Sequence, residues 1–319
     1  MLRCAVLDDY QNTALAMADW ARLAPRVEVR SVSGRLEGHG AVAGAVGDCE
    51  ILVIMRERTP FPRALFERLP KLRLLVTSGM RNASVDLVAA ADHGVTVCGT
   101  ASSSTPPAEL TWALVLGLAR GIVPESGALR AGGPWQSTVG ADLHGATLGL
   151  LGLGKIGAQV ARVGRAFGMD VLAWSRNLTA ERAESLGVRR AASLDGLCAA
   201  SDFLSVHVVL SERTRGLVGA AQLALMKPSA YLVNTARAAI VDQDALVAAL
   251  REGRIAGAGL DVFDIEPLPA DHPFRTLPNV LATPHLGYVT RGNYLRYFGE
   301  AVEDIEAFLA GAPVRVLAP

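Results

Sequence analysis

Leu148-Gly149-Leu150-Leu151-Gly152-Leu153-Gly154-Lys155-Ile156-Gly157 decides how this chain is read. An apolar run ends in Gly152, Gly154 and Gly157, spaced G-x-G-x-x-G. A helix-forming stretch, residues 158–167, follows, and then a second apolar run, residues 169–174. Strand, glycine turn, helix and strand in that order is the setting in which this motif marks a dinucleotide site. The first glycine permits the tight turn, the second lets backbone approach a pyrophosphate, and the third lets the helix pack close to the strand. The helix N-terminus offers unpaired N–H groups and the positive end of its dipole to the phosphates. The spacing alone says little in a chain with 32 glycines, where an ordinary tight turn competes; the β-α-β setting gives it weight.

Working outward, short apolar, β-branched runs recur with helical segments between them. Before residue 100 they cover 4–7, 27–32, 51–55, 72–77 and 95–98. After residue 145 they cover 147–151, 171–174, 203–208, 231–234, 257–260 and 280–282. Strand–helix alternation over this length predicts an α/β chain with two doubly wound parallel sheets, of about five and six strands, helices covering both faces of each. The pattern breaks at Gly99-Thr100-Ala101-Ser102-Ser103-Ser104-Thr105-Pro106-Pro107. Thr105 is the expected N-cap, with Pro106 at the first helical position, of a helix over 108–120. That helix is apolar on most sides, so it is expected in a core or against a second subunit. An amphipathic helix over 294–309 is expected to return to the first domain. The domains are therefore read as 1–100 plus 288–319, and 101–287.

Composition excludes several classes. Lys plus Arg equals Asp plus Glu, at 31 each, so the formal net charge of the 319 residues is zero and no electrostatic footprint exists for nucleic acid or an anionic membrane. No apolar stretch reaches spanning length, and residues 1–9 read as a first strand rather than a leader. Cys4, Cys49, Cys98 and Cys198 are far apart and form no C-x-x-C, which predicts buried free thiols in a reducing cytoplasm. No metal is expected.

The second strand of the nucleotide unit normally ends in an acidic residue that binds the ribose hydroxyls. Here Val171-Leu172-Ala173-Trp174 runs into Ser175-Arg176. Ser175 removes a charge that would repel a 2′-phosphate, and Arg176 supplies a partner for one. The reading leans to NADP. NAD use without the acidic anchor stays open.

Three polar residues stand just past the ends of three later strands. Arg237 follows Tyr231-Leu232-Val233-Asn234-Thr235-Ala236, Glu266 follows Leu260-Asp261-Val262-Phe263-Asp264-Ile265, and His285 follows Leu281-Ala282-Thr283-Pro284. That edge is where doubly wound sheets bind ligands. A 2-oxo acid needs a cation for its carboxylate and a proton donor for its carbonyl as hydride arrives. Histidine donates near neutral pH, and an adjacent carboxylate orients it. Each residue also has a bland reading, as a strand-end charge, a turn carboxylate before Pro267 and a satisfied histidine.

With these residues on the page, the chain resembles the D-isomer-specific 2-hydroxyacid dehydrogenases. The likeness rests on Gly152-Leu153-Gly154-Lys155-Ile156-Gly157, Asn234-Thr235-Ala236-Arg237, Leu260-Asp261-Val262-Phe263-Asp264-Ile265-Glu266-Pro267 and Thr283-Pro284-His285-Leu286-Gly287. It extends to Met55-Arg56-Glu57-Arg58-Thr59 and Thr77-Ser78-Gly79-Met80-Arg81-Asn82 in the first domain. The resemblance implies His285 as acid/base, Glu266 as its partner and Arg237 as substrate anchor. It implies a Rossmann-like domain that binds NAD or NADP through Gly152, Gly154, Lys155, Ile156, Gly157, Ser175, Arg176, His207, Thr214, Ala236 and Asp261, the last near the nicotinamide amide. It implies a flavodoxin-like substrate domain offering Arg56, Ser78 and the Gly79–Met80 backbone, a cleft between the domains, and a homodimer. Two departures stand out: Ala238 replaces the family's frequent glycine after its arginine, and Val209 replaces the usual proline after His207-Val208.

The expected reaction moves hydride between NAD(P)H and a small 2-oxo acid or D-2-hydroxy acid, of the glyoxylate, hydroxypyruvate or phosphoglycerate type. Arg56, Arg58 and Arg81 read either as holding a second anionic group or as solvated loop charges. Trp135 either packs on its own domain or reaches a partner's site. Two rival functions stay open: a cofactor-sensing corepressor of the same architecture, and a dehydrogenase of phosphite or formate.

Overall fold

The computed structural model describes residues 1–319. The chain divides into one unit of Met1–Ser103 with Val289–Pro319, and a second of Ser104–Tyr288.

The first unit is built on β1 (Leu2–Val6), β2 (Val27–Ser31), β3 (Ile51–Ile54), β4 (Leu74–Thr77) and β5 (Thr96–Gly99), in the order β2-β1-β3-β4-β5. Every neighbouring pair is parallel. A parallel sheet covered on both faces needs strands that are apolar throughout. Accordingly, all four residues of β3 and of β4 are buried. The helix Arg291–Leu309 belongs to this unit, as its amphipathic pattern predicts. Thr290 caps it by accepting from the Asn293 N–H, and it buries Tyr294, Tyr297, Phe298, Ala301, Val302 and Ile305. Beyond it, Val316 pairs antiparallel with Cys98 along the β5 edge. Arg315, at φ 51°, fastens that segment. Its guanidinium donates to Asp304 Oδ1 (2.9 Å), Glu303 Oε2 (3.0 Å) and the Glu300 carbonyl (2.9 Å). Asp304 is fully buried, and burial pushes its carboxyl up to about 7.

The second unit carries β6 (Thr147–Leu151), β7 (Asp170–Trp174), β8 (Arg189–Arg190), β9 (Phe203–Val206), β10 (Tyr231–Asn234), β11 (Gly257–Leu260) and β12 (Val280–Ala282). Their order is β12-β11-β10-β9-β6-β7-β8, again all parallel. Strand order reverses direction at β6, between β9 and β7, which makes this the topological switch point. The sheet has one strand more than the six expected. β8 is two exposed arginines paired to β7, without a hydrophobic signal to betray it.

The helix expected over 108–120 spans Thr105–Ala119, so Thr105 is its first residue and Ser104, not Thr105, is the N-cap. It packs on β10, β11 and the helix Lys155–Ala166, with Trp112, Leu114 and Val115 buried. Its apolar surface therefore lies largely in the core of its own unit. The next helix, Ile122–Arg130, buries none of its residues. No helix of the chain is long and apolar enough to cross a membrane.

Candidate active site

The glycine turn sits at the switch point, and close approaches require glycine at its first and third positions. Gly152 has φ 107°, and a Cβ there would lie 2.8 Å from the His207 backbone at the end of β9. A Cβ on Gly157 would lie 2.2 Å from the Gly152 carbonyl, so only glycine lets helix and strand approach this closely. A Cβ on Gly154 would meet nothing within 4 Å. The turn is thus closed on two sides and open at its middle glycine, the N-cap of the helix Lys155–Ala166. That is the shape a pyrophosphate needs, with helix N–H groups directed at it.

Around the turn, Ser175 follows β7, half-buried, and Arg176 beside it is exposed. No carboxylate stands at that strand end. The His207 ring lies 2.8 Å from Ser205 Oγ. Its enclosure pushes the imidazole down to about 4, so it is uncharged at neutral pH. Thr214 turns its hydroxyl inward, donating to the Val209 carbonyl (2.8 Å) and accepting from the Ser211 N–H (2.8 Å), which shapes the loop past His207.

The three residues expected to carry the chemistry follow β10, β11 and β12, which are neighbours in the sheet. Asn234 ends β10 and closes a turn. Its amide donates to the Arg237 carbonyl (3.0 Å) and accepts from the Ala236 N–H (3.0 Å). Arg237 is half-buried, and one guanidinium nitrogen donates to the Ala236 carbonyl at 2.7 Å. Ala238 opens a short 3-10 turn, Ala238–Ile240, and is not at positive φ, so the replacement of glycine there costs no strain.

Glu266 Oε1 accepts from the Phe263 N–H (2.9 Å), and Oε2 lies 2.6 Å from His285 Nδ1. The imidazole rests with its edge to the Tyr288 ring, centroids 5.3 Å apart. His285 has φ 52°. A β-substituted residue in this region costs roughly 1–3 kcal/mol and persists only when its surroundings impose it. Asp261, just past β11, is wholly buried and grips the same segment: it accepts from Thr283 Oγ1 (2.7 Å) and from the N–H groups of Leu286 (2.7 Å) and Gly287 (2.8 Å).

In the first unit, Arg56 has φ 52° and its N–H donates to Ser78 Oγ (2.9 Å). Gly79 has φ 93°, and its N–H donates to Thr100 Oγ1 (3.1 Å). The Arg56 guanidinium lies over Gly79, where a Cβ would be 2.2 Å from it. Met80 is exposed. Arg58 has structural employment, donating to the Asp8 carbonyl (2.7 Å) and stacking 4.4 Å over Tyr10. Arg81 is exposed.

Asn234 and Thr283 were not singled out in the sequence. Asn234 had a signal, since asparagine hydrogen-bonds its own backbone two residues on; Thr283 had none. No group of His, Cys, Asp and Glu could hold a metal ion.

A glycine turn at the switch point and an imidazole–carboxylate pair on one sheet edge are the working parts of dinucleotide-dependent dehydrogenases. The model of the D-isomer specific 2-hydroxyacid dehydrogenase NAD-binding domain matches residues 112–287. A glyoxylate reductase of Aeropyrum pernix is 41% identical over 256 residues, 77% of this chain and 76% of that one. A D-3-phosphoglycerate dehydrogenase of Methanocaldococcus jannaschii is 40% identical over 77% of this chain, which spans 47% of that longer protein. The crystal structure of an oxidoreductase from Ralstonia solanacearum superposes with a TM-score of 0.95 at 41% identity, covering 100% of this chain and 97% of that one. The chain belongs to the D-isomer specific 2-hydroxyacid dehydrogenase family. It is an NAD(P)-dependent oxidoreductase that interconverts a 2-oxo acid and a 2-hydroxy acid.

Proposed function

We propose that this chain reduces a small 2-oxo acid of the glyoxylate or hydroxypyruvate type, with NADPH preferred and a phosphorylated three-carbon acid as the next candidate. The observation that carries the reading is the Glu266–His285 pair at 2.6 Å, held at an imposed backbone angle beside Arg237 on the neighbouring strand ends. Relatives named glyoxylate reductase and D-3-phosphoglycerate dehydrogenase support the substrate class.

Gly152, Gly154 and Gly157 fit a dinucleotide, and the helix at Lys155 and Ile156 takes its pyrophosphate. Ser175 and Arg176 meet the adenosine ribose, with Arg176 on a 2′-phosphate. His207, Thr214, Ala236 and Asp261 border the remaining nucleotide. When bound, the nicotinamide supplies or accepts the hydride.

The chain's own groups do the rest. Arg237 binds the substrate carboxylate and holds the carbonyl carbon in place. His285 donates its proton to the oxygen as negative charge develops there, and in the reverse direction accepts it from the hydroxyl. Glu266 fixes the ring through Nδ1, leaving Nε2 to face the substrate, and stabilises the imidazolium. In the first unit, Arg56, Ser78 and the backbone at Gly79 and Met80 are assigned to the substrate. Because the Gly79 N–H is already donated to Thr100, the Met80 N–H is the backbone donor in this assignment.

Two further parts of the reading concern setting. A homodimer is proposed through the helix Ile122–Arg130 and the loop after it, where Ile122, Val123, Leu129, Trp135 and Val139 are all more than half exposed. A reducing cytoplasm suits four buried free thiols.

The test is turnover of glyoxylate, hydroxypyruvate, 3-phosphohydroxypyruvate, pyruvate, formate and phosphite, with each cofactor, followed at the nicotinamide absorbance. Reduction of the first two with the highest kcat/KM supports the proposal. Turnover of formate or phosphite alone, or of none, overturns it.

A further inference from the structure

The backbone at His285 is held in a tight turn, its own N–H donating to the Thr283 carbonyl at 2.9 Å. Its φ of 52° lies in the left-handed region. That region is disfavoured for any residue but glycine. The restraint comes from Asp261. Its side chain has no exposure, and its contacts straddle the histidine: Thr283 two residues before, Leu286 one after and Gly287 two after. Gly287 is suited to its place, since a Cβ there would sit 3.1 Å from Asp261 Oδ2. Asp261 is anchored in turn, its own N–H donating to the Asn234 carbonyl at 3.0 Å.

A carboxylate has about four lone-pair directions. Three are committed to the segment 283–287, and the group is sealed from solvent. We propose that Asp261 is a positioning residue for His285: its buried carboxylate clamps the segment 283–287 in the backbone arrangement that turns the imidazole onto Glu266. The catalytic consequence rests on the proton-donor role given to His285 above; the clamp does not.

Two carboxylate oxygens are needed because three donors converge on them. In Asp261→Asn, shape is kept but an amide NH2 must face an N–H or the Thr283 hydroxyl. In Thr283→Val the carboxylate stays and one of its donors is lost. The clamp predicts faster hydrogen exchange of the Leu286 and Gly287 amides in both cofactor-free variants, by about tenfold or more for Asp261→Asn, where a charge-assisted bond is lost. It predicts that kcat falls by about tenfold to a hundredfold in Asp261→Asn and by less in Thr283→Val. In Thr283→Val, KM for the 2-oxo acid, set by Arg237, and the dissociation constant of the cofactor both stay within about threefold, because that residue is assigned to neither ligand. A residue acting by direct contact with the nicotinamide amide gives a different pattern. In that case Thr283→Val leaves kcat unchanged, and this result overturns the proposal. Unchanged exchange at Leu286 and Gly287 in Asp261→Asn overturns it as well. Absence of turnover by the parent protein is a separate failure, of the role given to His285, and the exchange experiment still reads the clamp.

Discussion

His285 Nδ1 and Glu266 Oε2 lie 2.6 Å apart, although the two residues come from the ends of different strands, 19 positions apart in sequence. The other Glu266 oxygen is tied to the Phe263 N–H. The carboxylate is thus fixed before it meets the ring, and the ring has a single orientation to adopt. Exchange of either partner is expected to affect chemistry more than binding. His285→Asn should lower kcat by about 10²–10⁴-fold with cofactor affinity kept, and Glu266→Gln by a smaller factor. Steady-state kinetics with a fluorescence titration of the cofactor checks this, and parental turnover in His285→Asn removes the histidine from the mechanism.

In the proposed nucleotide site, Ser175 and Arg176 are expected to set cofactor choice. Arg176→Ala should weaken NADPH more than NADH, by about 1–3 kcal/mol for a charge-assisted bond. Ser175→Asp should move preference toward NADH by adding an acceptor for the ribose hydroxyls and repelling a 2′-phosphate. Dissociation constants for both cofactors decide the matter, and equal losses in Arg176→Ala refute the 2′-phosphate contact.

Arg237 depends on Asn234, whose amide closes the turn on both sides of Ala236. Asn234→Ala leaves the Ala236 N–H and the Arg237 carbonyl without that partner. An increase of about tenfold in KM for the 2-oxo acid is expected, from about 1–2 kcal/mol of lost order in the anchor. A variant with parental KM shows that Arg237 holds its position without the asparagine.

The exposed residues of the helix Ile122–Arg130 make assembly testable. Trp135 is 79% exposed and so does not pack on its own unit. Val123→Glu should convert a dimer to a monomer at micromolar concentration in sedimentation velocity, since a charge in an apolar interface is uncompensated. A parent protein that sediments as a monomer excludes the dimer outright.

Asp304 gives the first unit a pH-dependent stability. Its carboxyl stands at about 7 when folded and near its ordinary value of 3.8 when unfolded, so the folded state binds more protons. The stabilisation is present in full below about pH 4 and is lost as pH rises through 7, at about 1.4 kcal/mol per unit of pKa difference. Asp304→Asn should therefore have a Tm that declines less than the parent's between about pH 5 and pH 8. Parallel curves of Tm against pH would falsify the assignment.

How much of this was legible in the sequence depended on whether a signal was local. All eleven expected strands are present, because parallel strands buried on both faces must be continuous apolar runs. β8 escaped because its two arginines are exposed and only a partner strand makes them a strand. The cap position of the helix Thr105–Ala119 moved by one residue, onto Ser104, whose hydroxyl makes no capping bond and accepts from Gln159 instead. The glycine turn was legible down to the tight turn at Gly152 and the close helix–strand approach at Gly157. Arg237, Glu266 and His285 were legible as strand-end residues, but the pairing of Glu266 with His285 came from the resemblance. The grip of Asp261 on Thr283, Leu286 and Gly287 joins residues more than twenty positions apart, mostly through backbone N–H groups that every residue carries. No pattern of side chains spells that out.

The second unit is inserted, whole, between Ser103 and Val289 of the first. This imposes a timetable on synthesis. When the ribosome has made residue 288, every strand of the inserted sheet exists and that unit can close as it emerges. The other unit, begun first, must wait: Tyr297, Phe298, Ala301 and Ile305 are part of its core and are made only after the inserted unit is complete. Until they arrive, its early strands have an apolar face without the helix that covers it. In a growing cell, that half-finished sheet is the species a chaperone would have to shelter.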